Sequence, residues 1–235
     1  VELSELVDAP ASGRVFEQTL MPGIADAIGG GRVRLDAIAR WLQDVAYADL
    51  LDAGFDEAGA WIVRRLRLRV ESFPSFGEAA TLRTFCGGLG RFSAERRTIL
   101  TTPTAAVDAV ALWIWTDESG QPARFPPQFV ELYGESAAGR GAPVRLRHPE
   151  PPPGGARTPW TFRAADVDVA GHVNNSHFWE PLEERFAGSE PTRIDAEIEH
   201  RDAALAGEVL VLSEPEAMWI VGGDGSVHAS LLLGG

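Results

Sequence analysis

The sequence predicts an α+β protein made of two similar halves, each an antiparallel sheet wrapped around a long central helix. Three observations carry this. A run of apolar residues at helical spacing is followed at once by alternating, strand-like stretches. Consecutive strands lie too close for the crossovers that parallel pairing demands. The same order of strand, loop, helix and strands recurs after a stretch rich in glycine and proline.

Each element has its own reason. Positions 14–21 read as a strand and lead into Gly29-Gly30-Gly31. Leu35, Ile38, Ala39, Leu42, Val45, Ala46 and Leu50 then fall on one helix face, so a helix is expected over 34–53, stopped by Gly54. Over 61–73, Leu66, Leu68 and Val70 alternate with Arg65, Arg67 and Arg69, which makes a long strand with one basic face. Pro74-Ser75-Phe76-Gly77 turns the chain, and 79–87, 91–101 and 106–116 read as further strands. Gly139-Arg140-Gly141-Ala142-Pro143 and Pro151-Pro152-Pro153-Gly154-Gly155 sustain neither a helix nor an inner strand. They predict a surface linker over 135–159 between halves at 1–134 and 160–235. In the second half Thr161-Phe162-Arg163 ends a strand, a helix is expected over 176–186, and 194–200, 208–215, 218–222 and 227–233 read as strands.

Composition narrows the function. With 235 residues, 45% of them hydrophobic, the chain can bury one large core or two small ones. No apolar run approaches a membrane span. Val1-Glu2-Leu3-Ser4-Glu5 lacks the basic and apolar regions of a secretion signal. The single cysteine, Cys86, excludes an internal disulfide and reads as a small buried strand residue, and a cytoplasmic location is expected. A net charge of −13 argues against a general nucleic-acid binder.

The chemistry is concentrated in Asp166-Val167-Asp168-Val169-Ala170-Gly171-His172-Val173-Asn174-Asn175, directly before the second helix. An acid beside a helix N-terminus suits hydrolysis: the acid activates water and backbone N–H groups polarise a carbonyl. Asp168 is either that acid or an N-cap that orders the loop. His172 either orients a substrate carbonyl or relays a proton, or it is a loop histidine bonded to backbone. Asn174 and Asn175 cap the helix, shape the turn and secondarily touch substrate, and the N–H near Asn175 or Ser176 is a candidate oxyanion donor. Trp113, Trp115, Phe125 and Phe129 either line a tunnel or fill the core. Arg65, Arg67 and Arg69 either dock an acidic partner or pair with Asp and Glu across the sheet.

On these residues the chain resembles the acyl-acyl-carrier-protein thioesterases, whose fold is a tandem pair of hotdog domains. The second-half likeness is Asp166-Val167-Asp168, then Gly171-His172-Val173-Asn174-Asn175, with Phe178 and Glu183 in familiar places. The first-half likeness runs from Trp61-Ile62-Val63-Arg64-Arg65 through Phe73-Pro74-Ser75-Phe76-Gly77-Glu78 and Ala111-Leu112-Trp113-Ile114-Trp115 to Pro126-Pro127. The resemblance implies a double hotdog that hydrolyses the thioester joining a fatty acyl chain to the phosphopantetheine arm of acyl carrier protein, in fatty acid biosynthesis. It implies no cofactor and no metal. It puts the active site in the second hotdog and the acyl pocket in a non-catalytic first one, where Asp26 stands alone near the glycines.

Two positions depart from the family pattern. Ala170 stands where an asparagine is usual. Ala203 stands where a glutamate is usual, with Asp202 beside it, able to serve only if a bulge re-aims it. Asp168-Val169-Ala170-Gly171 is also similar to the Asp-x-x-Gly loop of single-domain hotdog acyl-CoA thioesterases, where the aspartate is nucleophile or general base. The candidate catalytic residues are therefore Asp168, His172, Asn174, Asn175 and Asp202. An acyl-CoA thioesterase and a non-catalytic acyl-binding protein are the alternatives, and a monomer or homodimer is expected.

Overall fold

A computed structural model describes residues 2–55 and 58–234, so Val1 and the last residue of the second half lie outside the described residues. The first half folds as β1 (Val15–Leu20), α1 (Leu35–Asp52), β2 (Ala60–Ser72), β3 (Ala80–Leu89), β4 (Ser93–Thr101), β5 (Ala106–Thr116) and α2 (Pro127–Ala137). The second follows as β6 (Ala156–Phe162), α3 (Glu180–Arg185), β7 (Ile194–His200), β8 (Gly207–Glu214), β9 (Ala217–Gly222) and β10 (Val227–Leu233). The strands form one sheet in the order β1-β3-β4-β5-β2-β7-β10-β9-β8-β6. Read from either edge the order is the same with the halves exchanged. The halves meet where β2 pairs with β7, antiparallel, which removes an exposed edge from each.

The two sides of the β2–β7 seam do different work. Leu66, Leu68, Val70, Ala196 and Ile198 enter the main core with Leu35, Ile38, Trp41, Leu42 and Val45 of α1. On the other face Arg65, Arg67 and Arg69 stand opposite Glu199, Glu197 and Asp195. Arg65 Nη2 lies 3.2 Å from Glu199, and Arg67 Nη2 lies 2.6 Å from Asp195. Arg65, Glu197 and Glu199 are fully buried. The basic face is thus an internal ion-pair ladder joining the halves, and Arg65 and Arg67 are not a docking surface. Burial raises the Glu197 carboxyl, but hydrogen bonds from His148 and Ser4 outweigh it and hold the group below the usual carboxylate range.

The expected linker differs from what the chain does. α2 extends to Ala137, begun by Pro127 at a position where a missing N–H costs nothing. Its Phe129 and Tyr133, one turn apart, bury against Phe55, Cys86 and Trp115. Strand β6 already begins at Ala156, as an edge strand that tolerates Pro159. Between them the chain covers the ion-pair ladder rather than crossing solvent. Ala142 and His148 are buried, and the N–H groups of Arg147 and His148 donate to Glu199 at 2.8 and 3.3 Å.

The second helix is short. Residues Asn175–Trp179 are 3-10 and only Glu180–Arg185 are α-helical. Pro181 has no N–H to reach the His177 carbonyl, so the α pattern starts only at that point. α1, with 18 residues, is the longest helix among the described residues. Among the described residues no helix is long and apolar enough to cross a membrane.

Candidate active site

The loop after β6 is built on backbone hydrogen bonds. Asp166 is buried, and its Oδ2 accepts the Arg163 N–H at 2.7 Å. Val167 and Val173 pair as an isolated bridge, the Asp168 N–H donates to the His172 carbonyl at 2.9 Å, and the Gly171 N–H donates to the Asp168 carbonyl at 3.0 Å. Gly171 takes φ +79°, a left-handed conformation that only glycine adopts without strain. This tight turn presents residues 168–170 at its tip.

A side-chain network fixes the acid. Asp168 Oδ1 accepts the Ala170 N–H at 2.9 Å, and Oδ2 accepts from Asn174 Nδ2 at 2.9 Å. Asn174 Oδ1 accepts from Gln43 Nε2 at 2.7 Å, from the Ser176 N–H at 3.0 Å and from Ser176 Oγ at 2.7 Å. The aspartate can only accept here, which sets the amide orientation of Asn174. Gln43 belongs to α1, so both halves build the site.

Asp168, Ala170, Asn174 and Asn175 line a cleft of about 870 Å³. Its remaining wall comes mostly from the first half, including Tyr47, Trp61, Cys86, Ala94, Trp113 and Phe129. A pocket of about 20 Å³ shares Gln43, Arg96, Trp113 and Asn175 with the cleft and reaches His200. Of the candidate tunnel aromatics, Trp113 and Phe129 line the cleft. Trp115 is buried in the aromatic core and Phe125 stacks on Phe129, ring centroids 4.4 Å apart.

The five sequence-derived candidates thus divide. Asp168, Asn174 and Asn175 come together at the cleft. His172 is exposed, lies outside the cleft lining, and its ring has no hydrogen bond among the described residues. Asp202 stands apart from the other three. Just past β7 the Arg201 and Asp202 N–H groups both donate to the His228 carbonyl, at 2.8 and 3.3 Å, two residues facing one as in a bulge, yet this does not bring the Asp202 side chain to the cleft lining. Asp202 is exposed and away from the cleft. The Ser176 N–H is already taken by Asn174, which leaves the Asn175 N–H as the donor of the turn without a partner among the described residues. Gln43 escaped sequence reasoning because a glutamine beside Leu42 on an amphipathic helix is ordinary; only its partial burial gives it away.

The first half contains a copy of the same loop. The Gly23 N–H donates to Asp26 Oδ2 at 2.7 Å, as Arg163 does to Asp166. Ala27 bridges Val33, Ile28 N–H donates to the Arg32 carbonyl and Gly31 N–H to the Ile28 carbonyl. Ile28 therefore stands where the second loop has Asp168, Arg32 where it has His172, and Arg34 where it has Asn174. Arg32 pairs with Glu183 of α3, whose Oε2 also accepts the Leu35 N–H at 3.0 Å and so caps α1.

Asp166, His177 and Glu180 bring one potential metal-ligand atom each within 4.8 Å of one another. Arg163 already lies 2.7 Å from Asp166 and 3.9 Å from Glu180, and it supplies the positive charge a cation would bring. The hydrogen bond to Glu180 raises the His177 pKa.

Residues 14–133, just over half of the chain, match the family described as acyl-ACP thioesterase N-terminal domain. The chain belongs to the acyl-ACP thioesterase family. A solved acyl-ACP thioesterase of Bacteroides thetaiotaomicron shares the fold at a TM-score of 0.76 and 14% identity, covering 93% of this chain and 96% of that one. The 12:0-ACP thioesterase of Umbellularia californica superposes at 0.74 and 16% identity, with 93% and 92% covered. An uncharacterised protein of Mycobacterium tuberculosis is 26% identical over 97% of this chain and 95% of its own length. The architecture is accordingly the α+β double hotdog that the resemblance implied, and its family is one of thioester hydrolases. The family match lies in the first half, whereas the acid lies in the second.

Proposed function

We propose that this family member hydrolyses fatty acyl-acyl carrier protein to free fatty acid and carrier protein, with Asp168 as general base. The observation that carries the reading is the Asp168 carboxylate, anchored by Asn174, in the wall of a cleft otherwise lined largely by first-half residues. Asp168 takes a proton from water, and the oxygen attacks the thioester carbonyl. The Asn175 N–H receives the developing oxyanion. The carbon–sulfur bond then breaks, and the pantetheine thiolate leaves with the proton held by Asp168. Asn174 and Gln43 position the base. The first hotdog, residues 1–134, supplies the acyl cleft, and the second, 160–235, supplies the acid. One chain brings both sides of the site, so a monomer suffices.

Ala170 and Ala203, in place of the family's asparagine and glutamate, favour a second reading as an acyl-binding protein without turnover. Thiol release from acyl-carrier-protein and acyl-CoA substrates separates them. Asp168→Asn is expected to lower turnover at least about a hundredfold, and Asp202→Asn to leave it unchanged. Carrier-protein substrates are expected to outrun CoA substrates. Equal turnover by wild type and Asp168→Asn would remove the general base from this site. Acyl binding without thiol release would select the second reading.

A further inference from the structure

The acyl cleft is more polar than a plain alkyl chain requires. Arg96, on β4, is nine-tenths buried and lines both the cleft and the pocket beneath it. Its Nη1 bonds to Asp49 Oδ2, its guanidinium carbon packs 5.1 Å from the centroid of the Tyr133 ring, and apart from Asp49 and Tyr133 its donors have no side-chain acceptor among the described residues. Asp49 is itself shared, because Arg14 Nε holds its second oxygen at 2.7 Å. One carboxylate therefore serves two guanidiniums. Burial opposes the Arg96 charge, but Asp49 and the nearby Tyr133 outweigh it, so the group stays charged. The polar track continues along the pocket with Thr98 and with His200, whose Nε2 has no partner among the described residues.

We propose that the acyl group accepted here carries a hydrogen-bond-accepting oxygen along its chain, as a hydroxyl, oxo or carboxylate group, and that Arg96 selects it. The inference rests on the thioesterase reading and names its substrate class. A plain alkyl chain filling the cleft would strip water from the spare Arg96 donors and return nothing. An oxygen on the chain restores those bonds. A site built to hydrogen-bond a substrate oxygen rejects the analogue lacking it more strongly than an apolar pocket rejects an extra methylene.

The test uses non-hydrolysable acyl-pantetheine amides of one chain length, plain, hydroxylated, oxo and ω-carboxylated. Each is titrated into the wild-type protein by quenching of the tryptophan emission to which Trp61 and Trp113 of the cleft wall contribute. The best oxygenated chain is expected to bind at least about tenfold tighter than the plain one. Arg96→Met should bring the two to parity by weakening the oxygenated chain, with circular dichroism confirming the fold. Equal or tighter binding of the plain chain to wild type overturns the proposal, whatever the variant does. So does an Arg96→Met variant, folded as wild type, that weakens both chains alike. Thiol release from the matching thioesters separates the two levels. Ranked binding without turnover would sink hydrolysis and keep the preference, whereas faster turnover of plain chains would keep hydrolysis and sink the preference.

Discussion

His200 gives the fold a calculable weakness in acid. It closes β7, is buried, packs edge-on against Phe178 with ring centroids 5.1 Å apart, and leaves Nε2 unpartnered among the described residues. Burial, and then the Arg64 charge, push its pKa down to about 3. In the unfolded chain the ring takes up a proton near the ordinary value of 6.5. The unfolded state therefore binds more protons in acid. The stability tied to neutral His200 is complete above about pH 6.5 and drains away as pH falls towards about 3. Integrating between those values gives a loss of about 2 kcal/mol from pH 7 to pH 5, and about 3 kcal/mol by pH 4. His200→Phe keeps a ring in the site, with a pocket of about 20 Å³ beside it for the extra atoms. Denaturant unfolding of both proteins at pH 7 and pH 5 isolates the effect, since the carboxylates titrate alike in each. Wild type should lose about 2 kcal/mol more than His200→Phe on going to pH 5. Parallel pH profiles would refute a buried neutral His200.

Four further outcomes are expected. Asn174→Ala, which removes the donor to Asp168 Oδ2, should lower kcat about a hundredfold, and Gln43→Ala about tenfold, with KM little changed in steady-state thiol release. Glu199→Gln should destabilise by about 3–5 kcal/mol in denaturant unfolding, because Arg65 is then left buried with half its counter-charge. Gly13→Ala should cost about 2–4 kcal/mol in the same assay, since φ is +90° and the new Cβ would fall 2.4 Å from the Ser136 backbone nitrogen.

Periodicity made the strands and α1 legible. The 106–116, 194–200 and 227–233 stretches are strands with those same bounds, because alternation there runs cleanly between turn residues. Periodicity failed where side chains make tertiary use of an irregular stretch. Gly134 suggested the end of order, yet Phe129 and Tyr133 join the aromatic core with Phe55, Cys86 and Trp115 and carry α2 past the glycine. The arginine face of β2 was visible as a pattern, but its burial was not. It depends on β7 lying alongside with Glu197 and Glu199 in register, a contact more than a hundred residues away. At the site, the acid and both asparagines were legible because one short motif holds them. Gln43 was not, since its role exists only when the two halves meet.

The two loops separate the residues the turn demands from those that the proposed chemistry would use. Both enter their helices through the same bonds: an aspartate accepting a backbone N–H three residues earlier, a valine bridge, and a glycine at positive φ. Asp26 and Asp166 are common to both, so a buried acid at that position is a requirement of the turn and says nothing about hydrolysis. The loops differ at the positions that face the neighbouring half. The first has Ile28 and Arg34 where the second has Asp168 and Asn174. Its Arg32 is paired with Glu183 in the cap of α1, and the corresponding pocket of about 460 Å³ is lined by Arg34, Arg163 and Glu183, with no counterpart of Asp168. Of two equivalent loops, one now stitches the halves together and the other keeps an acid on an open cleft. Under the proposed mechanism, that division leaves one acid-bearing cleft among the described residues, and the first half as the part that would hold the acyl group.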